Sequence, residues 1–210
     1  MTLEVPGRRS IYFIVGSRSG DQKPRPGDAA RGMAFAFERK GSACTLLTAA
    51  HVVKDSSEIN ASLWTDEQGF GTTFEARVAW IDEASDTAAL TIRNTEDCNP
   101  VSRHDGPVPV GRRVFAFLHT PHARGMMTVG YIGGYWILNG SPAIVCDMQI
   151  QRGHSGSPLL DGLGRLIGMV VSKASTLDVN AGFAVPASRI ESEHVARTSA
   201  DTRTLGALEP

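Results

Sequence analysis

Glycine and proline punctuate this chain so often that no apolar stretch runs far: 22 glycines and 11 prolines stand among short hydrophobic runs. Both residues interrupt helices and favour turns, and short apolar runs bounded by turn signals are the pattern of strands. The chain is therefore expected to be all-β. At 210 residues and 41% hydrophobic content it can bury one core, or two half-cores sharing an interface. A formal net charge of −1 leaves no electrostatic footprint for nucleic acid. No apolar run has the length of a membrane span, so neither nucleic acid nor membrane is an expected partner.

Ile11–Val15 reads as a first strand rather than as an export signal following Arg8 and Arg9, because the stretch is too short for such a signal. A loop from Ser19 to Gly32 precedes two strands around a Lys40–Gly41 turn, the second ending in a helical turn that presents His51. Asn60–Trp64, Phe74–Ile81 and Thr87–Ile92 read as further strands, and the proline-rich segment from Asn94 to Pro109 as a crossover. Strands are expected again at Arg113–Leu118, Met126–Ile132, Ala143–Met148, Leu166–Ser172 and Gly182–Val185. After Pro186, Ser188 stands three residues before Glu191, the spacing of a capping box, so a short helix should follow. From Asp201 onward a loosely ordered tail is expected.

The chemistry concentrates in QIQRGHSGSPLL, Gln149 to Leu160, where Ser155 lies between glycines. Glycine on both sides permits a sharp turn and close approach of a substrate carbonyl. The N–H groups of Gly153 and Ser155 are the candidates for holding a developing oxyanion. A serine hydroxyl needs a base to act as a nucleophile near neutral pH. His51, in TLLTAAHVV, is the candidate base, and Asp86, in EASDTAALTI, the candidate partner that orients it. The order His51, Asp86, Ser155 excludes the Ser–Asp–His order of α/β-hydrolases. His119 and His122 are separated by Pro121 and have no cysteine or acidic partner close by, so a surface loop is expected there. No metal and no cofactor is expected.

The ordered blocks GSACTLLTAAHVV, ARVAWIDEASDTAALTI, PVGRRVFAF, MTVGYIGG, CDMQIQRGHSGSPLLDGLGRLIGMVV and GFAVP resemble those of trypsin-like serine peptidases, and within these the HtrA/Deg-like branch. The similarity runs from about Gly32 to about Ile190. It implies the chymotrypsin-like fold, two six-stranded antiparallel β-barrels and a short closing helix. The first barrel, with His51 and Asp86, would occupy residues 1–105, the second, with Ser155, residues 106–190, and the helix and tail 191–210. It further implies a serine endopeptidase acting on polypeptides through an acyl-enzyme. The pocket for the residue before the cut would involve Gln149, Ile150, Val171, Ser172, Lys173 and Ala181, without a carboxylate at its base, which favours small or medium aliphatic side chains. No PDZ-like module is expected within these residues.

Two positions depart from the family pattern. Ser157 stands where glycine is usual, and His154 where zymogens of the family carry an aspartate that pairs with a freed amine. An uncharged imidazole makes that bond poorly, so no zymogen cleavage at Ile14 is expected. A regulatory protein partner that orders the loops, and a non-catalytic peptide-binding module on the same fold, stand as alternatives to a constitutive protease. Three cysteines (Cys44, Cys98 and Cys146) form no framework spacing, and a reduced, cytoplasmic protein is the expectation. No stretch fixes an oligomeric state.

Overall fold

The computed structural model describes residues 10–17, 30–64, 71–93, 96–120, 123–138, 140–173 and 181–206. The elements run β1 (Ile11–Ser17), β2 (Ala30–Lys40), β3 (Ala43–Ala49), α1 (Ala50–Val53), β4 (Glu58–Leu63), β5 (Thr73–Asp82) and β6 (Thr87–Ile92). They continue with β7 (Arg113–Thr120), β8 (Ala123–Leu138), β9 (Ser141–Asp147), β10 (Pro158–Leu160), β11 (Leu166–Lys173), β12 (Ala181–Pro186) and α2 (Ala187–Gly206). Two closed antiparallel barrels result, with strand orders β1-β2-β3-β6-β5-β4 and β10-β11-β12-β9-β8-β7. This is the chymotrypsin-like fold with its C-terminal helix. No described helix is long and apolar enough to cross a membrane.

The interior of the first barrel is mostly apolar, with Thr48 and Thr87 the buried threonines of its described strands. Ile11, Tyr12 and Ile14 of β1, Phe35 of β2, Leu46 and Leu47 of β3 and Leu90 of β6 are wholly buried. Ile14 pairs with Gly32 and Ala61 in mid-strand, which suits a permanent wall residue and not a cleavage point. Closure into barrels leaves no long edge to recruit another strand.

The crossover is threaded along both barrels. The Val101 N–H donates to the Ala36 carbonyl of the first, while Leu166 of the second exchanges backbone bonds with Ser102 and His104. Trp64 meets Phe117 edge to face across the seam, with ring centroids 5.2 Å apart.

Three features differ from the sequence reading or extend it. β8 continues through Gly133 and Gly134 to Leu138 because β9 pairs with it past a register shift at those glycines. Ser188 does not cap the closing helix, which already begins at Ala187 and runs for 20 residues; Glu191 instead pairs with Arg103 of the crossover at 2.8 Å. Cys44 of β3 and Cys98 of the crossover form a disulfide, where free thiols were expected. Cys146 is free and buried, and burial pushes its thiol up to about 12, so it is chemically inert. His122 and the side chain of His119 lie outside the described residues.

Candidate active site

Strand register builds the first half of the site. β3 and β6 pair so that Ala49 faces Thr87, which brings the residue after one strand, Ala50, level with the residue before the other, Asp86. The Ala50 N–H donates to the Asp86 carbonyl at 3.1 Å. Asp86 has φ 53°, in the left-handed region that aspartate enters more readily than most residues. From there its carboxylate also turns toward α1. One oxygen accepts the His51 backbone N–H at 2.9 Å, and the other meets His51 Nδ1 at 2.7 Å. The first N–H groups of a helix have no partner within it, so the carboxylate satisfies one of them while fixing the imidazole.

The turn carrying Asp86 is braced from outside by α2. Glu193 accepts from Ser85 Oγ at 2.9 Å and from Thr87 Oγ1 at 3.0 Å, the two residues flanking Asp86. Arg197 pairs with Asp82 at 3.3 Å and lies over the Trp80 ring. Burial opposes ionisation of Asp82, but the Ser85 hydroxyl and Arg197 outweigh it and hold this carboxyl below its usual range. His194 is buried between Trp80 Nε1 and Glu38 Oε2. None of this carried a motif: His194 and Glu193 meet residues more than a hundred positions away.

The second half is a turn docked onto the first barrel. The Met33 N–H of β2 donates to the Ser155 carbonyl at 2.7 Å, and the Gly156 N–H donates to the Val170 carbonyl at 2.8 Å. Gly156 has φ 83°, and a Cβ there would lie 2.0 Å from the Met33 oxygen and 2.6 Å from Thr48 Oγ1. Only glycine lets the turn come this close to Thr48 and Ala49, just before His51. Gly153 is buried with φ 101°. Ser155 itself is half-buried, and the described hydrogen bonds of His51 go to Asp86 and do not include the Ser155 hydroxyl.

Both departures from the family pattern are engaged. Ser157 Oγ accepts the Phe117 N–H of β7 at 2.7 Å and donates to the Pro158 carbonyl at 3.2 Å, tying the turn to its own barrel. His154 is 1% exposed, with Nε2 2.9 Å from Thr128 Oγ1 and Nδ1 against the Gln151 backbone. Burial lowers its pKa below 6.5 against the pull of the Gln151 backbone, so the ring is uncharged near neutral pH.

The positions named for the substrate pocket are spread along neighbouring segments. Gln149 is exposed, and Ile150 is packed against Gly182 of β12, where a Cβ would fall 2.3 Å from its side chain. Ser172 and Lys173 end β11 opposite Phe183 and Gly182, and Ala181 opens β12 opposite Asp147. Val171 is buried and lines a cavity of about 160 Å³ in the seam, shared with Asp86, Pro142 and Arg189. Among the described residues no cluster is fit to hold a metal ion.

Residues 32–169 match the trypsin-like peptidase domain family. The chain belongs to this family. Protease Do-like 1, chloroplastic, of Arabidopsis thaliana is 30% identical over 172 residues, covering 76% of this chain and 37% of the relative. A probable periplasmic serine endoprotease, DegP-like, of Chlamydia trachomatis is 26% identical and covers 83% of this chain and 35% of its own length. The chain thus spans little more than a third of the length of these two relatives. The active form of the Rv3671c protease from M. tuberculosis superposes with a TM-score of 0.73 at 21% identity, covering 89% of this chain and 79% of that one, and so shares the fold.

Proposed function

We propose that this chain is a serine endopeptidase of the HtrA/Deg type that cuts polypeptides through a Ser155–His51–Asp86 triad and an acyl-enzyme. The observation that supports this most is the double hold of Asp86 on His51, at the ring and at the backbone, next to a serine turn pressed against the same segment. In this reading His51 Nε2 takes the Ser155 proton as Oγ attacks the scissile carbonyl carbon. The Gly153 and Ser155 amides hold the oxyanion, and His51 then returns the proton to the leaving amine. Water, deprotonated by the same ring, releases the acyl group and restores Ser155. Asp86 keeps the proton of the neutral ring on Nδ1 and stabilises the imidazolium.

Gln149, Ile150, Val171, Ser172, Lys173 and Ala181 are proposed to shape selection of small or medium aliphatic side chains. A regulatory protein partner, with a role in stress response, quality control or defence, belongs to the same proposal. A fluorophosphonate probe tests the core of it, since it reacts with a serine activated by its base. Labelling of the wild type that disappears in Ser155→Ala and His51→Ala is the expected result. A folded wild type that stays unlabelled even with a bound protein partner leaves the peptide-binding module as the better reading. Compartment is decided by the thiols: three alkylatable cysteines in an unreduced cell extract, denatured to expose the buried Cys146, would place the protein in a reducing cytoplasm. One such cysteine, with Cys44 and Cys98 joined, would place it in an oxidising space.

A further inference from the structure

The residue before the nucleophile has its own mechanical role. His154 is enclosed at 1% exposure, and its ring touches the two pieces of structure that the turn must keep in register. Nε2 meets Thr128 Oγ1 of β8 at 2.9 Å, while Nδ1 lies 3.2 Å from the Gln151 N–H and 3.1 Å from the Gln151 carbonyl. The His154 main chain closes the same turn, its N–H donating to Gln151 and its carbonyl accepting from Ser157. β8 can lie this near because position 130 is glycine: a Cβ there would sit 2.3 Å from the Asp147 carbonyl and 2.4 Å from Met148 Cβ, on the segment that leads into the turn. Gly153, between Gln151 and His154, holds a positive φ of 101° that such a brace must maintain.

We propose that His154 is a positioning residue for the catalytic turn, its imidazole acting as an internal strut between Thr128 and Gln151 that directs the Gly153 and Ser155 amides toward the substrate carbonyl. The inference rests on the serine endopeptidase reading above. It supplies from within the chain what a buried ion pair with a new N-terminus would otherwise supply. The groups facing the ring are uncharged, the Thr128 hydroxyl from β8 and the Gln151 backbone from the turn. Of the charged side chains nearby in sequence, Arg152 and Asp147 are exposed, and the first-barrel segments touching the turn bring His51 and the exposed Arg31. A strut of this kind works as a neutral ring. Protonation would place a charge without a counter-ion in a dry site, a cost that outweighs the pull of the Gln151 carbonyl on Nδ1.

The sign of the pH effect follows. The folded pKa lies below the unfolded value of 6.5, so the contribution of the ring is complete above 6.5 and is lost as pH falls through the lowered folded value. His51 must also be neutral to act as base. Fluorophosphonate labelling of the wild type should therefore turn down more steeply than the first power of proton concentration once pH falls through the lowered His154 value, a steepening that a His154→Gln variant should lack. Thr128→Val, which removes the partner of Nε2 but keeps the shape, should slow labelling about 100-fold, the scale of losing an oxyanion donor. Thr128→Ser should stay within about threefold of wild type at an unchanged Tm. Thr128→Val labelling as fast as wild type would overturn the proposal. Hydrogen exchange of the Gly153 and Ser155 amides judges the strut independently of activity: Thr128→Val should accelerate it, and unchanged exchange also overturns the proposal. A wild type that fails to label while its exchange responds to Thr128→Val counts against the catalytic reading and sustains the strut.

Discussion

The two barrels hold their catalytic candidates by opposite means. Asp86 and His51 are fixed by side chains: a carboxylate that reaches both ring and backbone, two hydroxyls, and Glu193 of a helix that belongs to the other end of the chain. Ser155 sits in a turn docked by backbone, through Met33 and Val170, with glycine where any Cβ would collide, and the His154 and Ser157 side chains tie that turn only to its own barrel. The first half is a network, in which one lost bond leaves others standing. The second is a close fit, in which one added carbon displaces the whole turn. Tolerance to substitution should differ accordingly, and four measurements bear on that contrast.

The largest effect should come from Asp86→Asn, which keeps the shape but favours the wrong tautomer of His51. Labelling should fall by about 10⁴-fold, the cost seen for triads of this kind, with the fold intact. A drop of less than tenfold would mean that His51 is positioned by its backbone alone. Next is the disulfide. The loop from Cys44 to Cys98 encloses both His51 and Asp86 at a sequence separation of 54, and opening it frees that much unfolded chain. Denaturant titration with and without reductant should show a loss of about 4 kcal/mol. A stability unaffected by reductant would show that the bond is not formed in solution.

Gly156→Ala comes third. Strain at positive φ and the collision with Met33 together should cost about 3 kcal/mol by denaturant titration and remove labelling, whereas Gly41→Ala, at a turn with open space around it, should cost about 1 kcal/mol. Equal costs at the two glycines would dissolve the distinction between network and close fit. The smallest effect at the site is expected from Glu193→Ala, about 2 kcal/mol in thermal unfolding and less than tenfold in labelling, because the direct bonds between Asp86 and His51 remain. A loss as large as that of Asp86→Asn would make the helix, not the carboxylate, the true determinant of His51 geometry.

Strands were readable where turn residues bound them closely, as at Lys40–Gly41 and before Thr87. Gly133 and Gly134 misled because they look like a break, while in the fold they absorb a register shift and β8 runs on to Leu138. Motif order singled out His51, Asp86 and Ser155 as candidates, since that chemistry constrains short stretches of sequence. The contacts that brace them did not show. Glu193 with Ser85, Thr128 with His154 and Ser157 with Phe117 join positions from 26 to 108 residues apart, and nothing local marks either partner. Cys44 and Cys98 met for the same reason: β3 and β6 set Cys44 opposite Ile92, and the crossover then returns past it.

The brace on Asp86 has a consequence for the order in which the molecule is made. A ribosome delivers His51, Asp86 and then Ser155, but Glu193 and Arg197 emerge only afterwards. Through that interval the turn before β6 has its strand but not its outer support, so a nascent chain holds all three candidate groups and still lacks the finished arrangement. Timing is thereby written into topology: a helix made only after both barrels completes the first half of the site, so the arrangement proposed for catalysis follows the synthesis of Ser155 and does not accompany it.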